Sequence, residues 1–317
     1  SWVLSAHLPR QRTGRTLPDP SQQIIDLASS PVGAQMSAAY HFFHESFDKV
    51  NPIISQVIKS AVKKQILDPY LEPSNYKANW WLGFEQKPGA VVNNWNPWCN
   101  AESILCFLLL EDNPERLEQA VRQSLKSVDK FIAYVKKDGA CEEGPSYWGH
   151  AAGKLYDYLQ IMNYATGGKI PFFEDPLIKD MGEYISRSFV SEGWVVNFAD
   201  AVAKLSFIPS LIYNYGKAVS STEMQDFAIY NLAKKTEGRF AAPKPVIGND
   251  VFRSLESMKP LAEMSARVDD LNAKIASGQQ FESLLASLRT SVPGYTWYPE
   301  TQFCYIKNES DWFFAAK

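Results

Sequence analysis

Between residues 114 and 137 the apolar positions recur three and four apart. Leu117, Val121, Leu125, Val128, Ile132 and Val135 fall on one stripe with polar residues between them. That period lays the stripe along one face of a helix over 114–137, which Asp138-Gly139 closes. Asn113-Pro114 supplies the start, because Asn caps the first turn and proline needs no N–H at the first helical position. The same punctuation at Asn51-Pro52, Asn96-Pro97 and Asp175-Pro176 also precedes apolar-periodic stretches. The pattern predicts further helices over 34–50, 52–66, 97–111, 147–166, 176–189, 199–215, 223–235 and 251–265, with two more inside 267–277 and 280–291. Ser220 with Glu223 reads as a capping box. No fixed period links these helices, so no regular repeat family is indicated. Helix pairs joined by short turns predict a ring or solenoid of antiparallel helices.

Strand patterning is absent until the texture changes after Pro293-Gly294. Tyr295-Thr296-Trp297-Tyr298 and the stretch from Thr301 to Ile306 are aromatic and β-favouring. Asn308-Glu309-Ser310-Asp311 reads as a turn, with Trp312-Phe313-Phe314 as a returning strand. An isolated hairpin is only marginally stable, so these strands predict a β domain that begins at 293 and is cut off.

Composition narrows the function. The 317 residues are 45% hydrophobic and 21% charged, as in an ordinary globular protein, and the net charge of -3 provides no global field for a polyanion. Nucleic acid is therefore not the expected partner. The longest apolar run, 104–110, is too short to span a bilayer. Pro9, Arg10, Arg12 and Arg15 interrupt any signal-peptide core, as they would in a processed mature protein. The four cysteines include no CxxC pair, and Cys99 and Cys106 would sit about 10 Å apart along one helix, too far to bridge. His7, His41, His44, His150 and the cysteines form no metal-binding pattern, and no cofactor is implied.

Two segments carry candidate chemistry. Trp80-Trp81, followed by Asn93-Asn94-Trp95-Asn96-Pro97-Trp98-Cys99-Asn100, gathers indoles and amides round one helix start. Indole faces stack sugar rings, and amides bond hydroxyls or carboxylates without carrying charge. The structural alternative is a capped helix with buried aromatic packing, in which Trp81 is core. The second segment runs from Asp138 to His150 and presents Glu142, Glu143, Tyr147, Trp148 and His150 in a loop shaped by Gly144 and Pro145. Loops on a rigid scaffold commonly present reacting groups. The alternative is a loop with a Ser146 cap, a buried Tyr147 and solvated carboxylates.

The Asn-Trp-Asn-x-x-Cys-Asn start at 94–100 and the Asp-Gly…Glu-Gly-x-x-Tyr-Trp loop at 138–148 resemble the heparinase II/III-like polysaccharide lyases. The chain end from Pro299 to Lys317 is similar to the entry into that family's β-sandwich. The resemblance implies a mainly α chain, an incomplete (α/α) toroid over 1–292 with the start of a β-sandwich at 293–317. It also implies a bacterial periplasmic or secreted enzyme acting on an acidic polysaccharide by β-elimination at a uronic acid. Removing the C5 proton builds enolate-like charge, which amide donors at Asn94 and Asn96 would stabilise. Tyr147 matches the family's tyrosine. A tyrosine titrates near ~10, so acting as a base requires supporting neighbours, whereas acting as the acid requires no shift. The family's histidine lies in the sandwich, where nothing in this chain matches it. Glu143, Trp81, Trp95, Trp98, Trp148 and His150 are the expected substrate contacts. Two rivals remain: a hydrolase using Glu143 and Asp200 as paired carboxylates, and a non-catalytic glycan-binding helical domain.

Overall fold

The computed structural model of the protein describes residues 24–85, 87, 90–307 and 313–316. The arginine-interrupted N-terminus, His7, the turn expected at 308–311 and Trp312 lie outside them. The described residues are mainly helical and form two compact units. The first takes the chain up to Tyr134 together with Asp157–Lys169 and Gly248–Val251, and the second takes the rest. Among the described residues no helix is long and apolar enough to cross a membrane.

In the first unit α1 (Ser29–Val50) packs on α2 (Ile53–Val62) and α4 (Trp95–Leu110), and α4 packs on α5 (Pro114–Tyr134). Gly33 permits the close approach of α1, since a Cβ there would sit 2.9 Å from Ile66 Cγ1 and 3.3 Å from Cys106 Sγ. After α2 the helix widens into a π turn at Lys63–Leu67 before α3 (Asp68–Leu71). Pro69 has no N–H to continue an α-helical ladder, and a wide turn just ahead of it absorbs that break. Asn113 caps α5 as expected, its Oδ1 accepting from Glu115 N at 2.9 Å and Arg116 N at 3.2 Å. Asn96 and Pro97 instead lie inside the first turn of α4, which begins two residues before Pro97.

The second unit contains α7 (Pro176–Arg187), α8 (Pro209–Ala218) and α9 (Thr222–Tyr230), which pack on one another. Asp175 caps α7 through Leu177 N at 2.9 Å. The α9 cap is Ser221, whose Oγ accepts from Met224 N at 3.2 Å, and not Ser220. Glu223 is used elsewhere, accepting from Ser186 Oγ and pairing with Arg187 between α9 and α7. Two short hairpins precede residue 293, contrary to the expected absence of strands: β1 (Phe189–Ser191) with β2 (Trp194–Val195), and β3 (Ala233–Lys234) with β4 (Arg239–Phe240). They are too short for alternation to register. The first turns through Glu192 at φ 49° and Gly193 at φ 87°. The helix expected over 199–215 starts only at Pro209, because the preceding segment pairs with this hairpin through Val195 N to Ala203 O at 2.9 Å and Leu205 N to Gly193 O at 2.8 Å. The one expected over 251–265 is broken at Pro260 into α10 (Val251–Glu256) and α11 (Leu261–Ala276), followed by α12 (Phe281–Ser287). Likewise the helix expected from 147 begins only at α6 (Ala152–Ala165), behind a 3-10 turn at Pro145–Tyr147.

The terminal strands form an antiparallel sheet in the order β5 (Tyr295–Tyr298), β6 (Phe303–Lys307), β7 (Phe313–Ala316). Phe303, Tyr305 and Tyr298 are buried. Tyr298 meets Tyr184 edge-on at 5.6 Å, and Phe303 stacks on Phe198 at 4.0 Å. Asp138, four residues past the end of α5, fastens the β5–β6 connection. Its carboxylate accepts from Glu300 N (2.9 Å), Thr301 N (2.8 Å) and Thr301 Oγ1 (3.0 Å), and from Ala140 N (3.2 Å). Hydrogen bonds to a charged group contribute about 1.5–3 kcal/mol each when lost singly. Because Asp138 is only half-buried, Asp138→Ala is expected to lower unfolding stability by about 2 kcal/mol. Urea denaturation checks this, and an unchanged midpoint would show that the terminal sheet is held by its aromatic face alone.

Candidate functional site

The segment from Asp138 to His150 belongs to the second unit, and its shape is set by glycines. Gly139 has φ 74°, and a Cβ there would strike the Asp180 carbonyl carbon and Met181 N, both at 2.7 Å. Gly144 has φ 90°, and a Cβ there would come within 2.5 Å of Ala201 Cβ and 2.7 Å of Phe198 O. Left-handed backbone and close approach together require glycine. The chain then enters the 3-10 turn at Pro145–Tyr147, and Trp148 anchors it. The Trp148 indole is 4% exposed, donates from Nε1 to Met181 O at 2.8 Å and stacks on Tyr215. With its N–H bonded and its ring buried, Trp148 is a core residue and offers no platform for a sugar.

Fixing Trp148 places Tyr147 and His150 together. Their rings meet edge-on, with centroids 5.9 Å apart and an interplanar angle of 86°. Tyr147 is half-buried and His150 keeps an exposed edge. Burial against surrounding protein, followed by the nearby cations Arg253 and Lys154, holds the His150 pKa below the ordinary imidazole value. The ring is therefore neutral at pH 7 and available as a proton acceptor. Arg253 donates from Nη2 to Gly149 O, and Lys154 is 1% exposed. Sequence reasoning passed over both cations. Lys154 had a signal, as a lone charge in the apolar stretch Ala151-Ala152-Gly153-Lys154-Leu155-Tyr156, whereas Arg253 sits on an ordinary amphipathic helix.

The same loop carries two carboxylates, Glu142 and Glu143. Glu143 is half-buried, and desolvation, then the charges of Asp200 and Glu142, raise its pKa above the usual range. Ser146 does not cap a helix. Its Oγ accepts from Val202 N at 3.2 Å, which fixes the Asp200 segment against the tyrosine turn. Glu142 is exposed, with Lys136 Nζ at 3.6 Å.

Asn94 and Asn96 lie in the first unit. Asn96 is fully buried, and its Nδ2 donates to Trp81 O (2.8 Å), Ser127 O (3.0 Å) and Ser127 Oγ (3.0 Å). Asn100 Nδ2 donates to the same Ser127 Oγ at 2.9 Å, and Tyr70 donates to Asn100 Oδ1 at 2.7 Å. This amide network joins α4, α5 and the Trp80–Leu82 turn, and in it Asn96 is a brace whose donors are already used. Asn94 is 8% exposed at the head of α4. Trp81 is buried, with Nε1 donating to Ile25 O at 3.0 Å, so it too is core. Trp95 packs at 5.5 Å on Trp80, and both keep part of their surface in solvent, as does Trp98.

No protein-family model matches this chain, and no curated protein matches it.

The two roles considered for Asn96 predict different outcomes. As a brace, Asn96→Ala removes a buried donor and leaves acceptors unsatisfied, at a cost of about 1–3 kcal/mol. The expected result is a lower denaturation midpoint. A variant of unchanged stability would return Asn96 to the substrate.

Proposed function

We propose that the protein is a polysaccharide lyase that cleaves a uronic-acid-containing glycan by β-elimination, with Tyr147 carrying proton transfer. The observation behind this reading is the edge-on contact of Tyr147 with His150 beside Arg253 and Lys154. The resemblance of 94–100 and 138–148 to heparinase II/III-like lyases supports it. Helices adjacent in sequence that pack together, α1 with α2, α4 with α5 and α8 with α9, support assigning them to an (α/α) toroid.

The chemistry follows from the residue types. A base takes the C5 proton of the uronate, the C4–C5 double bond forms, and the C4–O4 bond breaks as O4 receives a proton. Tyr147 supplies the proton to O4, and the neutral His150, expected from the sequence only as a substrate contact, accepts the one from C5 in place of the sandwich histidine that the resemblance implies. The positive field of Arg253 and Lys154 favours the charge that develops on the uronate carboxylate. A base held below the ordinary imidazole pKa of ~6.5 stays neutral further into acid. The midpoint of the acid limb of the pH–rate profile is therefore expected below that value.

A second reading has an observation of its own. Burial, and after it the charge of Asp200, raises the pKa of Glu143, as for the acid member of a carboxylate pair. In that reading the protein hydrolyses its glycan.

The variants separate the two. Tyr147→Phe deletes one hydroxyl and leaves the ring packing in place. The lyase reading predicts that turnover of an acidic glycan, followed by the ultraviolet absorbance of the unsaturated uronate, falls ~10²–10⁴-fold with little change in KM. Near-normal turnover in Tyr147→Phe with loss in Glu143→Gln would transfer the function to the carboxylate pair.

A further inference from the structure

The first unit also carries a groove on its surface. Between one face of α5 and the segment carrying Tyr76 and Phe84 lies a groove of about 540 Å³. That volume is within the range of small-molecule sites. Its aromatic floor is fixed in position. Tyr76 and Phe84 pack at 5.1 Å, and Tyr76 donates from its hydroxyl to Gln123 Oε1 at 2.9 Å. Gln123 is 7% exposed and is held in turn by donating from Nε2 to Tyr70 O. The wall is one face of α5. Glu118 and Arg122 pair there at 2.7 Å, and Gln119 adds an exposed amide. Lys126 has no ion-pair partner among the described residues. Glu115 marks the opposite end, about 16 Å away along the helix axis.

We propose that this groove is a non-catalytic binding subsite for an acidic oligosaccharide, with a sugar ring on the Tyr76–Phe84 pair and a uronate carboxylate at Lys126. Aromatic faces bind the apolar face of a pyranose, and amides satisfy its hydroxyls. With Arg122 paired to Glu118, Lys126 supplies the positive charge that distinguishes a uronate from a neutral sugar, and Glu115 accepts from hydroxyls at the other end. The inference takes its substrate class from the lyase reading but uses none of its catalytic residues.

The test uses the whole protein with three probes: a glucuronate-containing tetrasaccharide, the same tetrasaccharide with its carboxylates reduced to alcohols, and an acidic peptide. Hydrogen–deuterium exchange should show protection of 73–84 and 115–126 by the uronate probe. Phe84→Ala should weaken binding of both tetrasaccharides at least tenfold. Lys126→Ala, at an exposed position where folding is not at risk, should weaken only the uronate probe, and Tyr147→Phe should leave groove protection unchanged. Protection confined to 138–150, no protection at all, or equal effects of Lys126→Ala on both tetrasaccharides would overturn the proposal. So would protection of the groove by an acidic peptide and not by the tetrasaccharide. Groove binding without β-elimination would defeat only the lyase reading, and β-elimination without groove binding would defeat only the subsite.

Discussion

The placement of Tyr147 depends on a steric constraint at two positions. At Gly139 and Gly144 the backbone is left-handed, and neighbouring atoms stand where a Cβ would be. Only glycine fits, and because it does, the loop lies flat against α7 and against the segment carrying Asp200. The Trp148 indole then fixes the following turn by bonding to Met181 O. Once those contacts are made, Tyr147 and His150 have little choice of position. The pairing of a phenol with an imidazole thus follows from packing at residues that have no chemistry of their own.

The same logic separates scaffold from site among the polar residues. A buried amide with its N–H groups bonded is costly to disturb, since breaking those bonds leaves polar atoms unsatisfied. Asn96, Asn100 and Ser127 form such a network, and Tyr70 and Gln123 extend it. In the second unit Glu183, Arg187, Glu223 and Ser221 play the equivalent part between α7 and α9. By contrast Glu143 and His150 carry pKa shifts that oppose their charged forms and keep contact with solvent. Groups held in this state commonly serve proton transfer.

Much of the helical content was legible because apolar stripes and caps are local signals. Asn113-Pro114 and Asp175-Pro176 each mark a true helix start. The failures have physical causes. The hairpin at 189–195 is shorter than any alternation can register, and its pairing with the following segment removed the start of an expected helix. Pro260 divided another. At the candidate site, the residue types of the loop containing Glu143, Tyr147 and His150 are what single it out. The burial of Asn96 and Trp148 was not legible, and Trp81 stood open between core and binding face, because an indole or amide reads the same in either place. Arg253 reaches Gly149 only through tertiary structure.

The lyase reading makes a claim about bonds that one measurement addresses directly. Elimination breaks the C4–O4 bond without adding water, whereas hydrolysis places a solvent oxygen on the product. Degradation of an acidic glycan in oxygen-labelled water, with the products weighed by mass spectrometry, distinguishes the two. The account predicts unsaturated uronate products that contain no label. Saturated products carrying the heavy oxygen would contradict it and assign the chemistry to Glu143 and Asp200.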